Sequence, residues 1–266
     1  MSEERDTDSM RTDGGTDGTD TALHAVVAAD RLGTALSAVD ALFEECHLTF
    51  DGEGIRMRAM DPATVAMVDL SIRDGAFESY EATDGHVGVA VDRLHEVVAV
   101  AGADDLVRLG LDPERRRLRV AIGELEYSLA LIDPSAVRSP GEMDGVEFAA
   151  ELVAQAETLD RSVRAANMVS DHVALGTDGE GFYVEAEGDT DDVVLERSGD
   201  DLPAFDAGET HSLFSLDYLT AIDRAVPRDR EVTLRLGTEQ PLGIEFEFAD
   251  GAATAEYLVA PRIAAR

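Results

Sequence analysis

The sequence lacks lysine entirely, so all 22 of its basic residues are arginines, against 56 aspartates and glutamates. The formal net charge of the 266-residue chain is -34. A surface this acidic excludes binding to nucleic acid through bulk positive charge. Repulsion among carboxylates is screened in molar salt, where the Debye length is about 3 Å. The composition therefore indicates a halophilic protein that works in a high-salt cytosol, and an acidic protein that works in ordinary salt is the alternative.

Cysteine, long apolar runs and ligand-spaced histidines are scarce or missing as well. The single cysteine, Cys46, excludes an internal disulfide and is typical of a reducing cytoplasm. No apolar stretch is long enough for a membrane span or a signal peptide, so we expect no membrane contact. The histidines, at positions 24, 47, 86, 95, 172 and 211, do not have the spacing of metal ligands. We expect no metal and no cofactor.

The sequence does contain enough apolar material for a folded core. Hydrophobic residues make up 44% of the chain, which excludes wholesale disorder. Residues 1-21 are the exception, because they carry many acidic residues and a Thr/Asp/Gly run with almost nothing to bury. We expect this segment to be a disordered acidic tail.

From residue 22 onward the chain repeats itself. The segment DGEGIRMRA at 51-59 returns as DGEGFYVEA at 178-186. A helical pattern of apolar residues precedes each copy, and a second short helix follows each, with Asp92 and Asp217 as the expected N-caps. Strand patterns come next in both halves, including a long one over 117-131.

A linker separates the two repeats. Residues 133-144 contain two prolines and a glycine, so they form neither a regular helix nor a central strand, and we expect them to be exposed and extended. The economical interpretation is two homologous α+β domains, 22-132 and 145-266, with helices on one face of antiparallel sheets.

Catalytic motifs are not found. Ser170, Asp171 and His172 are the residue types of a hydrolytic triad, but neighbours on a strand point to opposite faces and cannot form one relay. The Gly-x-Gly pieces at 52-54 and 179-181 join strands and do not open helices, which is typical of hairpin turns and not of phosphate-binding loops. We therefore expect that the protein is not an enzyme.

Several arginines lie where their charge has no local explanation. Arg161, Arg164 and Arg224 lie on helix faces opposite the apolar residues. Arg31 and Arg93 lie in the first turns of the other two helices, although cations are favoured near helix C-termini. Each one alone fits a solvated face with ion pairs to nearby acids, but the five together predict a shared anionic target.

A set of apolar residues falls on the wrong side of a strand. Alternate residues of 66-72 form a core-facing set, whereas Val65 and Met67 lie on the polar face. Met60 and the segment Ala260–Ile263 add further apolar surface. Exposed methionine adapts well to apolar anchors, so this patch predicts an interaction site. Packing of the linker onto the same surface is the alternative.

Taken in order, these motifs resemble a known family. GIRMRAMDP at 54-62, VAMVD at 65-69, FESY at 77-80 and LVAPRI at 258-263 are similar to the archaeal and eukaryotic sliding clamp, proliferating cell nuclear antigen (PCNA), particularly its halophilic archaeal members. The resemblance covers about residues 22-266.

The resemblance implies a homotrimer whose three two-domain chains close into a pseudo-six-fold ring, with the helices lining a channel for duplex DNA. It implies a nucleoid-associated DNA sliding clamp that a clamp loader places on DNA without sequence specificity. Such a ring is a processivity factor in replication and repair. It tethers DNA polymerase, DNA ligase and flap endonuclease through short interaction peptides.

The resemblance also implies roles for individual residues. The channel residues that would face DNA are Arg31, Arg93, Arg161, Arg164 and Arg224. The partner-peptide pocket would comprise Met60, Val65, Met67, Ala136, Val137, Pro241, Ala260, Pro261, Arg262 and Ile263. The subunit interface would bring Leu125 and Tyr127 of one chain near Val193 and Leu195 of the next.

Two other interpretations fit the sequence. The chain could be a checkpoint-type clamp subunit of a heteromeric ring, which has the same fold. It could also be an acidic two-domain binding protein that never touches DNA. Mass in native salt separates a homotrimer from a heteromer, and loading onto nicked circular DNA separates both rings from the third possibility.

Overall fold

The two halves of the chain have the same order of helices and strands. The computed structural model describes residues 22-141 and 145-262, and within them each half contains nine strands and two helices. In each half, one strand leads into a helix, five strands follow, and a second helix precedes the last three strands. The predicted α+β fold with repeated halves is confirmed.

The bounds of the elements follow this repeat. The first half contains β1 (Leu23–Ala28), α1 (Ala29–Asp40), β2 (Glu45–Asp51), β3 (Gly54–Met60), β4 (Ala66–Arg73), β5 (Ser79–Ala82), β6 (Gly85–Ala90), α2 (Val91–Val98), β7 (Leu106–Asp112), β8 (Arg117–Ile122) and β9 (Leu125–Ala130). The second half contains β10 (Ala150–Gln155), α3 (Ala156–Ala166), β11 (His172–Asp178), β12 (Gly181–Glu187), β13 (Asp192–Ser198), β14 (Ala204–Ala207), β15 (Glu209–Ser215), α4 (Leu216–Ala225), β16 (Glu231–Leu236), β17 (Leu242–Phe248) and β18 (Ala253–Val259).

Strand pairing joins the halves into one continuous sheet. Nine antiparallel strands run in the order β14-β10-β16-β17-β18-β4-β3-β2-β6, and β18 and β4 come from opposite halves. In that pair Val259 lies opposite Ala66, and Ala253 lies opposite Ile72. The other two sheets each belong to one half, with the orders β5-β1-β7-β8-β9 and β13-β12-β11-β15.

The helices bury their apolar sides against these sheets. Leu32, Leu36 and Val39 of α1 are all buried, as their spacing of about one turn requires. Helix α1 packs against α2, α3 packs against α4, and α1 also meets α4 across the boundary between the halves. The buried Tyr257 hydroxyl donates to the Ala38 carbonyl oxygen at 2.6 Å and ties β18 to α1. None of the helices in the described part of the chain has the length and apolarity needed to cross a bilayer.

The repeated DGEG motif forms the same hairpin turn in both halves. The Asp51 Oδ1 atom accepts hydrogen bonds from the backbone N–H groups two and three residues later, at 2.7 and 3.2 Å. Asp178 Oδ1 does the same at 2.9 and 2.8 Å, and these bonds lower the pKa of Asp178. The prediction of hairpin turns is confirmed.

The helix and strand ends differ from the predictions in two places. Asp92 and Asp217 are not N-caps, because β6 and β15 lead straight into α2 and α4, and each aspartate lies inside the first helical turn. Negative charge is favourable there, near the positive end of the helix dipole. The strand expected over 117-131 is a hairpin of β8 and β9, whose turn includes Gly123 at φ +56°.

Two surface predictions were also wrong. The linker is not fully exposed, because Pro134–Ala136 form a 3-10 turn and Val137 is only 6% exposed. Met67 is not exposed either, with 8% of its surface accessible. It lies between Met60 and Leu258 in the sheet, and these large neighbours on the same face shield it.

Candidate functional site

Three arginines converge on the helix layer of the second half. Arg161 and Arg164 of α3 are exposed on the face opposite the buried Leu159 and Val163, as predicted. With Arg228, which follows α4, they line an open depression of about 760 Å³. Its remaining lining residues are Glu157, Asp160, Ala165 and Met168.

Arg228 is held in place by two carboxylates. Its Nη1 and Nη2 atoms donate to the two carboxylate oxygens of Asp223 at 2.7 and 3.0 Å, and Nη2 lies 3.3 Å from Asp160 Oδ1. The Asp223 side chain is only 5% exposed, so the bidentate pair is half sheltered from water. The hydrogen bond to Asp223 raises the pKa of Arg228. The guanidinium is therefore a fixed positive charge at the edge of the depression.

The predicted channel arginines differ in whether a hydrogen bond or an ion pair engages the guanidinium. Arg31 donates from Nη1 to the Ala76 carbonyl oxygen at 2.9 Å, and Arg93 lies 3.0 Å from Glu96. Arg164 is 3.4 Å from Asp160, with most of its side chain exposed. Arg161 and Arg224 are exposed and form no ion pair within the described residues. The two predicted channel arginines without an ion pair in the described residues therefore lie on α3 and α4.

A second site is a groove beside the linker. It has a volume of about 430 Å³ and is open to solvent. Of the predicted pocket residues, Met60 and Val137 line it. The remaining lining residues are Leu42, Phe43, Glu44, Glu45, Asp61, Pro62 and Arg138.

The other predicted pocket residues surround the groove or lie elsewhere. Val65 is half-buried and accepts a backbone hydrogen bond from Ala260 at 2.7 Å. The backbone N–H of Arg262 donates to the Leu213 carbonyl oxygen at 2.7 Å, so the C-terminal segment runs from the first half onto the second. Ala136 is exposed, Pro261 is half-buried, Pro241 lies in the turn between β16 and β17, and Ile263 lies outside the described residues.

Asp61 orders the turn that follows Met60 at the groove. Its carboxylate accepts backbone hydrogen bonds from Val65 and Ala66, each at 2.7 Å. It also accepts from the Tyr218 hydroxyl at 3.1 Å, which connects the groove to α4. Burial and this hydrogen bond raise the pKa of Tyr218. Asp61 is itself buried, and its hydrogen bonds hold the turn at the rim of the groove.

Two sheets end in strands whose outer edges are unpaired within the described chain. Leu125 and Tyr127 on β9 are each 39% exposed. Val193 and Leu195 on β13 are half-buried, whereas Val194 between them is 59% exposed. Exposed apolar residues on an open edge are a liability unless another strand covers them.

The residues considered for catalysis do not form a relay. The His172 backbone N–H, and not its ring, contacts Ser170 Oγ, at 3.3 Å. The His172 ring lies against the guanidinium of Arg262. Within residues 22-141 and 145-262, no group of three or more His, Cys, Asp or Glu side chains could hold a metal ion.

Comparison with known proteins identifies the family. The profiles described as "Proliferating cell nuclear antigen, N-terminal domain" and "Proliferating cell nuclear antigen, C-terminal domain" match residues 25-125 and 142-262. The chain belongs to the PCNA family. A "DNA polymerase sliding clamp" of Natronomonas pharaonis is 49% identical over 241 residues, which cover 90% of this chain and 98% of the relative. A "DNA polymerase sliding clamp" of Haloarcula marismortui is 48% identical over 243 residues, which cover 91% of this chain and 98% of the relative.

A solved PCNA structure agrees with this assignment. The structure described as "C-terminal region of FEN-1 bound to A. fulgidus PCNA" has a TM-score of 0.87 and 36% identity, and the match covers 92% of this chain and 100% of that chain. The halophilic character predicted from composition agrees with the haloarchaeal sources of the two relatives.

Three surface features of this PCNA-family chain were not predicted from its sequence. Arg228 follows Pro227, beyond the periodic pattern of α4, so no helical face pointed to it. Leu42 and Phe43 lie just past the end of α1. They continue the apolar pattern of that helix, so they were interpreted as core residues and not as lining of a groove. Val194 was not among the predicted interface residues, although it lies between Val193 and Leu195 and is 59% exposed on the open edge of β13.

Proposed function

We propose that this chain is a DNA polymerase sliding clamp, a homotrimeric ring that encircles duplex DNA and tethers partner enzymes. Its membership of the PCNA family carries the proposal, supported by the names of its haloarchaeal relatives. The protein performs no reaction itself. Its two domains are residues 22-132 and 145-266, joined by the linker 133-144, and it acts at the nucleoid in a high-salt cytosol.

The helix layer is the proposed DNA-facing surface. Three copies of four helices would line a channel with twelve, and the exposed Arg161, Arg224 and Arg228 would point toward the phosphates. A closed ring stays on DNA by topology, so it needs only weak, non-specific attraction and keeps its freedom to slide. A net charge of -34 is compatible with this function, because the carboxylates need not contact DNA.

Strand topology supports closure by edge pairing. The two halves of one chain meet in a nine-stranded sheet. Pairing β9 of one copy with β13 of the next would join a five-stranded to a four-stranded sheet and again make nine strands. The boundary between subunits would then repeat the boundary between domains, which is the geometry of a pseudo-six-fold ring. Leu125 and Tyr127 would meet Val193 and Leu195 there.

The groove beside the linker is the proposed site for partner peptides. Leu42, Phe43, Met60 and Val137 give it an apolar floor and wall, suited to the apolar anchors of a short peptide. The relative from A. fulgidus was solved with the C-terminal region of FEN-1, which supports flap endonuclease as one partner. DNA polymerase and DNA ligase are proposed as others, and a clamp loader as the enzyme that opens the ring.

Retention on circular DNA tests the proposal. The protein, its clamp loader and ATP are incubated with nicked circular DNA in molar KCl, and free protein is removed by gel filtration. We expect the protein to stay on the circle and to leave when a restriction enzyme linearises it, because only topology holds the ring. Equal retention on linear DNA would contradict encirclement.

The mass of the protein in the same buffer separates the remaining possibilities. A homotrimer of this one chain supports the proposal. A monomer that assembles only with a second gene product would indicate a heteromeric checkpoint-type ring. A monomer that neither assembles nor is retained on circular DNA would indicate an acidic binding protein.

A further inference from the structure

One carboxylate bridges two of the arginines that line the depression on the helix layer. Asp160 lies on α3, and its Oδ1 atom is 3.3 Å from Nη2 of Arg228, which follows α4. Its Oδ2 atom is 3.4 Å from Nη1 of Arg164, one helical turn further along α3. Each oxygen of the carboxylate therefore meets a different guanidinium. The oxygens of a DNA phosphate are acceptors of the same kind for arginine.

Asp160 is the weakest link of this network of ion pairs. Arg228 donates to both carboxylate oxygens of Asp223 at 2.7 and 3.0 Å, so its position does not depend on Asp160. Both contacts of Asp160 are longer than the distance of about 2.7-2.9 Å that is typical of strong charge-assisted hydrogen bonds. The side chain of Arg164 is 79% exposed, and that of Asp160 is 24% exposed. Both arginines can therefore leave Asp160 without disturbing the core.

The charges around the depression nearly cancel. Three arginines and two carboxylates line it, namely Arg161, Arg164, Arg228, Glu157 and Asp160. Three further groups lie close by: the nearly buried Asp223, which offsets the charge of Arg228, and the loop pair of Arg230 and Asp229, 3.6 Å apart. The exposed Arg224 on α4 adds one positive charge. Beyond Met168, a separate depression is lined by four more carboxylates, Asp171, Glu187, Asp189 and Asp191. Arg164 and Arg228 thus have counter-charges that belong to the protein.

An arginine that is already paired binds phosphate with a different ion balance from a free arginine. When a free arginine binds a phosphate, a condensed cation leaves the DNA, and the contact weakens with about the 0.9 power of the salt concentration. When Arg164 or Arg228 moves from Asp160 to a phosphate, a cation leaves the DNA in the same way. The carboxylate that is left behind attracts a cation in its place. The number of dissolved ions then hardly changes, so the exchange loses little strength in molar salt.

We propose that Asp160 stands in for a DNA phosphate in the free ring, holding Arg164 and Arg228 and passing them to phosphates when the ring encircles DNA. The inference rests on the proposed function, because the depression meets phosphates only inside a closed ring. Arg161 and Arg224, which have no ion pair in the part of the chain that the structure describes, supply the salt-dependent attraction. The exchange at Asp160 supplies a contact that persists in molar salt. The return of the arginines to Asp160 lets this contact break as the ring slides.

Diffusion of a loaded ring measures these contacts at any salt concentration, because topology keeps the ring on the DNA. The full chain carries a dye at Glu114→Cys, an exposed position that lines neither the depression nor the groove. Cys46 is not labelled, because it is buried and burial raises the pKa of its thiol to about 12. Rings are loaded onto long nicked DNA that is tethered at both ends, and single rings are tracked from about 1 M to about 3 M KCl. A stronger contact with DNA gives a smaller diffusion coefficient.

Two variants with the same change in charge separate exchange from simple attraction. Asp160→Asn removes the stand-in carboxylate, so Arg164 and Arg228 meet phosphates as free arginines. Each of these contacts should then strengthen roughly threefold as KCl falls from about 3 M to about 1 M, and diffusion should slow more steeply than in the parent chain. Glu157→Gln removes a carboxylate from the same helix that forms no ion pair among the described residues, so it should keep the parental salt dependence. Asp160→Glu retains the carboxylate and should keep it too.

The outcomes distinguish the exchange from the proposed function. Equal salt dependence in Asp160→Asn and the parent chain, or in Asp160→Asn and Glu157→Gln, would overturn the exchange. Asp160→Ser is measured alongside, because it removes the carboxylate without adding an amide that could accept from Arg164. Thermal unfolding in molar KCl verifies that each variant is folded. A parent chain that is not retained on nicked circular DNA would refute the proposed function, whereas rings that load and diffuse without this difference would refute the exchange alone.

Discussion

At the scale of single residues, the same side-chain type has different roles according to its partners. Arg161 and Arg224 are exposed without ion pairs in the described chain, so their charge is available to a ligand. Arg31 is bonded to the Ala76 carbonyl oxygen and packs against the protein instead. Arg228 is intermediate, since it lines the depression while neutralising the buried Asp223. Sequence position alone did not separate these cases.

Replacing Arg161 and Arg224 by Ala should weaken DNA loading without weakening the fold. Both side chains are exposed, so the free energy of unfolding should change by less than about 0.5 kcal/mol. Loading onto nicked circles in molar KCl should slow, because two cations per chain are lost from the helix layer. Unchanged loading kinetics would mean that these arginines are merely solvated.

Arg228→Ala should behave differently and destabilise the protein. It leaves the nearly buried Asp223 carboxylate without its bidentate partner, at a cost of about 1-3 kcal/mol. Thermal unfolding in molar KCl measures the loss. Arg164→Ala is the matched control, because Arg164 is largely exposed and its contact with Asp160 is 3.4 Å long. Equal melting temperatures for the two variants would contradict a structural role for Arg228.

Two methionines that share a sheet face should also differ in their effects. Met60 lines the groove, so Met60→Glu should weaken FEN-1 peptide binding by about 2 kcal/mol, roughly thirtyfold, with little loss of stability. Met67 is buried, so Met67→Glu should lower the melting temperature because it forces a charge out of water. Calorimetry and thermal unfolding separate the two effects. Full peptide affinity in Met60→Glu would mean that the groove is not the peptide site.

At the scale of elements, periodic patterns were predictable and long-range pairings were not. The core-facing set of β4 and the helical spacing in α1 follow from one-sided burial and were correct, although Met67 on the other face of β4 is buried as well. The repeated Asp-Gly turn was predictable because its hydrogen bonds are local. The β4–β18 pairing depends on the register between distant strands, which no local pattern encodes. The linker was misjudged because Val137 is buried by neighbours that lie far away in the sequence.

The hairpin turn between β2 and β3 allows a test of backbone geometry. Gly54 has φ +150°, and an added Cβ would lie 2.1 Å from the Ile72 carbonyl oxygen. Gly54→Ala should therefore destabilise the first half by about 1-3 kcal/mol. Gly52→Ala in the same turn meets no atom within 4 Å and should be nearly neutral in thermal unfolding. Equal melting temperatures for the two variants would mean that the close approach at Gly54 is wrong.

At the scale of the whole molecule, charge and topology act against each other. The net charge of -34 per chain becomes about -100 in a trimer, which favours separation of the subunits. In the proposed ring, apolar contact and strand pairing between β9 and β13 would favour association. In molar salt the Debye length is about 3 Å, so repulsion between more distant carboxylates is screened, whereas the short-range contacts stay intact. We therefore expect the proposed ring to be stable only where the ionic strength is high.

The final prediction tests both sides of this balance in one experiment. Light scattering in molar KCl should give the mass of a trimer, and dilution to about 0.1 M salt should dissociate or unfold it as the Debye length grows to about 10 Å. Tyr127→Asp should give monomers even in molar KCl, because it places a charge on the open edge of β9, where the residue is exposed in the single chain. Val100→Asp adds the same charge at a residue that is 71% exposed outside the edge strands, and it should remain trimeric. A parent chain that is monomeric throughout molar salt, or a Tyr127→Asp variant that stays trimeric, would show that β9 does not close the ring.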